Sequence, residues 1–265
     1  MERLLAMRVA EAWRAQPFLL SNATPQHDRV LLFASIREMG HPLSERIHPT
    51  TLPSMLDATL PKAEELFIRL WPEAADRFRW FMRIFYPLTD IRRTSKDDWG
   101  CVCGHDWDKE PWSCHVTIDA YKGLVEGWVH EMAHNWLHYL GVHLLDWTNE
   151  FLLNDKTEKF PSPARRDITR PMGAVLQGTY SYIHVCEWEW RCWKDGDKTV
   201  TSQLAFNLGR MEEALEVIPP NIKATKLGML FWLECEEWIQ KLLRDTRESG
   251  ILPIRSWSSA HSRVD

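Results

Sequence analysis

The sequence predicts a mainly α-helical protein with one small antiparallel β element. Several long segments repeat apolar residues three and four positions apart, which is the spacing of a helix with one buried face. Only residues 100–119 contain short extended runs around turn residues, as a β-hairpin does. With 265 residues, of which 45% are hydrophobic, the chain is long enough to bury a sizeable core.

The individual elements follow from these patterns in chain order. Helices are predicted at about residues 2–15, 25–38, 62–87, 120–140, 171–194, 201–216 and 222–247. The hairpin has extended runs at Cys101–Cys103 and Ser113–Ile118, separated by the turn-rich residues 106–111. We expect three parts: an N-terminal helical segment (1–54), a central domain (55–195) and a C-terminal helical lobe (196–265).

The composition excludes several classes of function. The formal net charge is -5 and the pI is near 6.1, so the chain lacks the basic surface that nucleic-acid binding needs. No apolar run is long enough to cross a membrane, and the amphipathic N-terminus lacks a secretory signal. We expect a cytoplasmic protein that binds neither nucleic acid nor membranes, and whose cysteines are thiols.

Residues 130–134 read His-Glu-Met-Ala-His, within a run of helical spacing from about residue 122 to 139. This spacing puts His130 and His134 on one helix face, one turn apart, where both imidazoles can bind one metal ion. Glu131 lies beside them, and a buried carboxylate is costly unless a cation neutralises it. The motif predicts a zincin-like helix and makes the central domain the catalytic one. A buried helix with hydrogen-bonded histidines is the structural alternative.

The third metal ligand does not come from this helix. His138 shares the face, but it follows His130 by eight residues, about 12 Å along the axis, which is too far for one ion. The glycine and the histidine that metzincins carry after the motif are absent. We therefore expect the third ligand further along the chain.

The hairpin holds a second group of potential metal ligands, namely Cys101, Cys103, His105, Cys114 and His115. A separate zinc site is one interpretation, although this spacing is not typical of zinc sites. Alternating strand residues, some of them facing the core, are the favoured interpretation. Free cysteine packs well as a small hydrophobic residue, which supports it.

Downstream, residues 160–180 read FPSPARRDITRPMGAVLQGTY. With the histidine motif, this stretch resembles the HExxH-domain proteins of peptide natural-product clusters, which read H-E-x-x-H and then S-P-W-R-x-D-P-R-P-L-x-G-x-L-H-G-x-Y. The resemblance extends from about Leu60 to Trp190. Members of that family look like 2-oxoglutarate-dependent, non-haem iron enzymes that hydroxylate the β-carbon of residues in ribosomal peptides. The resemblance therefore implies that this protein uses iron(II) and 2-oxoglutarate, and that it acts on a peptide or a small molecule in natural-product biosynthesis.

The resemblance also suggests a source for the third ligand, with one departure. Gln177 stands where the family usually has a histidine. A glutamine carbonyl oxygen can bind a hard metal, but more weakly than an imidazole or a carboxylate does. Three outcomes remain open: Gln177 is a weak ligand, His184 or Glu187 replaces it, or the chemistry has been lost or changed.

Arg166 and Arg170 occupy the arginine-rich motif of the family. A planar guanidinium can clamp the distal carboxylate of 2-oxoglutarate through two parallel hydrogen bonds, so these two arginines are the predicted cosubstrate ligands. Their structural alternative is a pairing with Asp167 that holds the loop. Glu131 is expected to orient a histidine or a water from outside the ligand set.

Two other functions compete with the oxygenase. A zinc peptidase needs the same two histidines, a third ligand, and Glu131 as a general base toward water on zinc. A catalytically silent peptide-binding module suits the amide at Gln177 and the fifteen tryptophans. Metal content and 2-oxoglutarate turnover distinguish the three.

Overall fold

The computed structural model of the protein describes residues 47–49, 53–82, 84–90, 99–106, 110–142 and 151–255. The helices predicted at residues 2–15 and 25–38 lie outside the described residues. The chain divides into two compact units, a first unit up to Asn135 and a second unit from Trp136 onward. The predicted domain boundaries at residues 54 and 195 stay predictions.

Two helices of the first unit replace most of the single helix predicted at 62–87. They are α1 (Pro53–Leu70) and α2 (Pro72–Phe81), separated by Trp71. The break has a steric cause, since a proline disfavours helical backbone in the preceding residue and suits the first position of a new helix. Trp71 accordingly has a φ of -146°.

The last residues of the helix predicted at 62–87 do not form a helix. They belong to a strand, β2 (Ile84–Asp90). Phe85 and Leu88 in β2 are buried. A short apolar run is compatible with a buried strand and with a buried helix, because periodicity does not separate the two at this length. Pairing with a neighbouring strand decides the outcome here.

β2 belongs to a mixed four-stranded sheet with β1 (Ile47–Pro49), β3 (Cys103–Asp106) and β4 (Glu110–Thr117), in the order β1-β2-β4-β3. β3 and β4 pair antiparallel, which confirms a hairpin in this part of the chain. The bounds of its first strand were wrong, because β3 shares only Cys103 with the predicted run Cys101–Cys103. β2 runs parallel to β4. The β element is therefore mixed, and the expectation of a purely antiparallel element was too narrow.

Helix α3 (Tyr121–Tyr139) carries the histidine motif and confirms the helix predicted at 120–140. Within the first unit, Trp128 anchors it among Phe67, Phe78 and Phe85, with ring centroids 5.1 to 6.2 Å apart. Gly127 lets the helix approach β4 closely, since a Cβ atom there would lie 2.3 Å from Val116 Cγ1. Strand β4 is thereby close to the motif.

The second unit contains a two-stranded antiparallel ladder and three long helices. The ladder pairs β5 (Phe160–Pro161) with β6 (Thr169–Arg170). The helices are α4 (Met172–Lys194), α5 (Thr201–Asn221) and α6 (Lys226–Glu248), with a short 3-10 turn at Lys198–Val200. The three helices predicted in this part of the chain are confirmed, with starts and ends that differ by a few residues.

The core of the second unit is built mainly by α4. This helix packs against α5 and α6, and Trp188 and Trp232 are almost completely buried. The side chain of Thr225 caps α6 by accepting a hydrogen bond from the backbone N–H of Gly228. Among the described helices, none is both long and apolar enough to cross a membrane.

Candidate metal centre

The two histidines of the motif face each other on α3. Their Nε2 atoms are 3.1 Å apart, and their ring centroids are 4.7 Å apart. Two ligand nitrogens at this separation can both lie about 2.1 Å from a single ion, which is the usual length of a bond from zinc to an imidazole. His130 and His134 therefore fit a shared divalent metal.

Glu131 is buried beside the histidine pair. Its Oε2 atom lies 2.5 Å from Nδ1 of His105, and its Oε1 atom lies 3.9 Å from Nε2 of His130. Burial raises the pKa of the Glu131 carboxyl, but the hydrogen bond with His105 and the nearby imidazoles lower it more. The net pKa lies below the ordinary value, so the carboxylate is held as an anion.

His105 of β3 links the hairpin to the motif. Besides its hydrogen bond with Glu131, its ring stacks on His134, with centroids 5.2 Å apart and planes 30° from parallel. The ring is buried. Contacts of this kind are typical of groups that hold a metal ligand in one orientation.

Cys103, also of β3, completes the cluster. Its Sγ atom and ligand atoms of His130 and Glu131 all lie within 4.8 Å of one another. Within the residues that the structure describes, this is the one cluster of at least three possible metal ligands. Two of the five hairpin residues, Cys103 and His105, thus lie beside the motif, and the described residues contain no separate zinc cluster in the hairpin.

The Cys103 thiol has a pKa well above its ordinary value. Its hydrogen bond with Cys101 contributes most to this rise, followed by burial and by the negative charge of Glu131. The thiol is therefore protonated in the protein without metal. A cation at the site would favour the thiolate, because the thiolate is the form that binds metals.

Asn135, which directly follows the motif, fixes α3 against β4. It is completely buried, and its side-chain oxygen accepts a hydrogen bond of 3.0 Å from the backbone N–H of Trp112. Its amide donates to the carbonyl oxygens of Ser113 and Glu131, at 3.2 and 2.9 Å. Trp112 has a φ of 67°, an uncommon backbone conformation for a bulky residue.

The predicted alternatives for the third ligand lie on α4 in the second unit. The amide nitrogen of Gln177 donates to the carbonyl oxygen of Val142. Nδ1 of His184 lies 2.9 Å from the carbonyl oxygen of Tyr180. The carboxylate of Glu187 accepts hydrogen bonds from Arg191 at one oxygen and from Trp238 at the other. Coordination by Glu187 would therefore disturb existing hydrogen bonds.

The arginines of the downstream motif differ in their partners. Arg165 forms two hydrogen bonds of 3.0 Å with Asp167, so Asp167 does not pair with Arg166 or Arg170 as the structural alternative expected. Arg166 binds Glu213 at 2.8 Å. The backbone of Arg170 pairs with Phe160 in the ladder, whereas its half-buried side chain makes no hydrogen bond or ion pair with any described residue. Burial lowers its pKa, and the positive charge of Arg165 adds to this effect.

His105, Cys103 and Asn135 were not identified as parts of the motif from the sequence. The available signals were a polar residue directly after the motif and a histidine two positions after a cysteine of the hairpin. Both signals are weak. The strand residues that reach α3 are decided by the pairing of β3 with β4, which the sequence does not specify.

Fold and site together define a mainly helical protein with a mixed sheet and a histidine pair suited to a divalent metal. No protein-family model matches the chain, and no curated protein matches its sequence.

Proposed function

We propose that this protein is a non-haem iron(II), 2-oxoglutarate-dependent oxygenase with a zincin-like metal helix. Its substrate is a peptide or an amino-acid-like molecule, which it hydroxylates or otherwise oxidises. One observation carries this proposal: the Nε2 atoms of His130 and His134 lie 3.1 Å apart, beside a buried carboxylate. The resemblance of residues 160–180 to peptide-modifying oxygenases favours oxidation over hydrolysis.

The reaction consumes one molecule each of substrate, O2 and 2-oxoglutarate. A substrate C–H bond becomes C–OH, and 2-oxoglutarate becomes succinate and CO2. One atom of the O2 enters the hydroxyl group and the other enters the succinate. Iron(II), when bound, supplies the redox chemistry that couples the two oxidations. The protein supplies the ligands, the orientation of those ligands and the binding of both organic molecules.

Glu131 acts as a positioning residue in this proposal. His105 engages one of its oxygens at 2.5 Å, and hydrogen bonds to a carboxylate are stronger than those between neutral groups. The same histidine stacks on His134, so the three side chains restrain one another. A general base toward water needs a carboxylate that is free to move with its proton, and this arrangement favours orientation instead.

Arg170 is the favoured ligand for the cosubstrate carboxylate. Arg165 and Arg166 are already paired with Asp167 and Glu213, whereas the guanidinium of Arg170 has no such partner among the described residues. Asp167 attracts this guanidinium but is not hydrogen-bonded to it. A half-buried guanidinium without a hydrogen-bonded carboxylate gains free energy by binding an anion.

A zinc peptidase is the second candidate. The observation that favours it is the nearness of Cys103 to His130 and Glu131, because sulfur ligands suit zinc. In that reaction Glu131 would have to release His105 in order to accept a proton from water.

Anaerobic loading with iron(II), followed by 2-oxoglutarate and O2, tests the proposal by the succinate formed. We expect succinate only when iron and O2 are both present. His130→Ala and His134→Ala should abolish metal uptake, whereas His138→Ala, a buried histidine outside the pair, should retain it. Undiminished metal binding in both pair variants would contradict the site.

The same experiment separates the other functions. Zinc-dependent peptide cleavage without O2 consumption would establish the peptidase. If the folded protein takes up neither iron nor zinc, the peptide-binding module is the function that remains.

A further inference from the structure

We infer that Cys103 is the third protein ligand of the metal, in a set formed by His130, His134 and Cys103. This inference rests on the proposed metal site and assigns a ligand that the sequence placed elsewhere, at Gln177, His184 or Glu187. Two observations lie behind it: ligand atoms of Cys103, His130 and Glu131 are within 4.8 Å of one another, and His134 faces His130 with their Nε2 atoms 3.1 Å apart.

The geometry of β3 directs Cys103 toward the motif. The register between β3 and β4 shifts between Gly104 and Asp106, so the contacts of the two side chains, rather than strand alternation, locate them. His105 reaches Glu131 on α3, and the sulfur of Cys103 lies within 4.8 Å of ligand atoms of His130 and Glu131. Gly104 points the other way, where a Cβ atom would lie 2.5 Å from Nε2 of His115.

The distances are close to those of a bound set. Sulfur and nitrogen ligands of one zinc-like ion are at most about 4.4 Å apart, the sum of bonds of about 2.3 and 2.1 Å. The ligand atoms of Cys103, His130 and Glu131 lie within 4.8 Å of one another, and His134 joins this group through its Nε2 atom, 3.1 Å from Nε2 of His130.

Charge also favours Cys103 over Gln177. Two imidazoles and one thiolate carry a single negative charge, as two imidazoles and one carboxylate do in iron oxygenases. Glutamine would leave the ion with neutral ligands only, and Glu131 is already engaged by His105. On binding, the Cys103 S–H bond breaks, a bond from sulfur to the metal forms, and the proton passes to water.

Cobalt(II) binding to the full chain tests the ligand directly, because a thiolate bound to cobalt absorbs strongly in the near ultraviolet. We expect this absorption in the unsubstituted protein and in Cys101→Ser, the matched control two residues away. Cys103→Ser should lose the absorption and should bind cobalt at least about 10-fold more weakly, since even residues outside the ligand set change metal affinity by 10–100-fold.

Alkylation of the unsubstituted protein provides a second measurement, which does not depend on how a variant folds. Zinc should protect Cys103 from iodoacetamide, whereas it should protect Cys101 far less, as read from the masses of the labelled peptides. Equal labelling of Cys103 with and without bound zinc would overturn the assignment.

The outcomes separate this inference from the proposed function. Cobalt bound at the histidine pair without thiolate absorption, or absorption that persists in Cys103→Ser, would remove Cys103 and leave the metal site intact. Absence of cobalt, zinc and iron binding would remove both.

Discussion

At the scale of single residues, Asn135 determines how the motif is held. Its three hydrogen bonds join α3 to two consecutive residues of β4 and to the carbonyl of Glu131. Because the site is fully buried, a lost partner leaves backbone groups without water to replace it, at about 1–3 kcal/mol for each. Asn135→Ala should therefore lower the free energy of unfolding by about 2–4 kcal/mol.

Urea denaturation followed by circular dichroism measures this loss. Gln240→Ala is the matched control, because Gln240 is exposed and makes one local hydrogen bond with Glu236. Its effect should stay within about 0.5 kcal/mol. Equal effects of the two substitutions would show that the Asn135 bonds contribute little.

His105 is a second residue that holds the motif, because it contacts both Glu131 and His134. Removing its hydrogen bond and its stacking frees Glu131 and His134 to reorient, so His105→Ala should weaken zinc binding by about 10–100-fold. His105→Gln keeps a hydrogen-bond donor and should recover part of the affinity. His115→Ala, which replaces a buried histidine on the other face of the hairpin, should change zinc affinity little; a loss equal to that of His105→Ala would indicate a general packing effect.

Arg170 is the residue whose substitution should affect the cosubstrate alone. Loss of a charge-assisted hydrogen bond, worth about 1.5–3 kcal/mol, should raise the KM for 2-oxoglutarate about 10- to 100-fold in Arg170→Ala. Arg165→Ala serves as the control, because Arg165 is exposed and already paired with Asp167. An unchanged KM in Arg170→Ala and in Arg166→Ala would remove the predicted cosubstrate ligands.

Among single residues, the sequence predicts the roles that depend only on local spacing. His130 and His134 face each other because four residues make about one helical turn, and this needs no tertiary information. Cys103 and His105 reach Glu131 through strand pairing, which local spacing does not specify. The positive φ of Trp112 is likewise invisible in the sequence, because nothing in a tryptophan favours that conformation.

At the scale of elements, the approach of α3 to β4 depends on Gly127. A methyl group there would overlap Val116, which is buried and branched and therefore cannot move away easily. Gly127→Ala should lower the free energy of unfolding by about 1–2 kcal/mol, because the overlap outweighs the gain of about 1 kcal/mol in helix propensity. Urea denaturation measures the change.

A double substitution makes this expectation specific. Val116→Ala removes the atoms that the new methyl group meets, so the double variant should be more stable than the sum of the two single effects indicates, by about 1 kcal/mol. Strictly additive effects would show that the two elements do not touch at this point.

Two properties decide whether an element can be predicted from the sequence: its length, and the distance along the chain to the segments that pair with it. Helices α3, α4, α5 and α6 are long and periodic, and each was predicted to within a few residues at most ends. The hairpin was predictable because its strands are neighbours in the chain. β2 was missed because both of its partners, β1 and β4, are distant in the chain, and these pairings distinguish its short apolar run from a helix.

At the scale of the whole molecule, all groups proposed to hold or orient the metal belong to the first unit. A ligand that binds only the folded state stabilises it, by about 2.7 kcal/mol when its concentration is 100 times its Kd. For proteins of this size, 1 kcal/mol corresponds to about 2–4 °C in Tm, so zinc or iron(II) should raise Tm by about 5–10 °C. If unfolding resolves into two transitions, the metal should move one of them and leave the other in place.

Differential scanning calorimetry with and without metal measures this shift in Tm. A second metal ion, magnesium, serves as the first control. Magnesium, which prefers oxygen ligands, should leave Tm unchanged, because imidazole and thiol groups bind it poorly. His130→Ala and His134→Ala should lose the shift with zinc, whereas His138→Ala should keep it. A zinc shift that persists in both pair variants would locate the stabilising metal elsewhere in the chain, and the histidine pair would then have to be explained as two hydrogen-bonded groups in a buried helix.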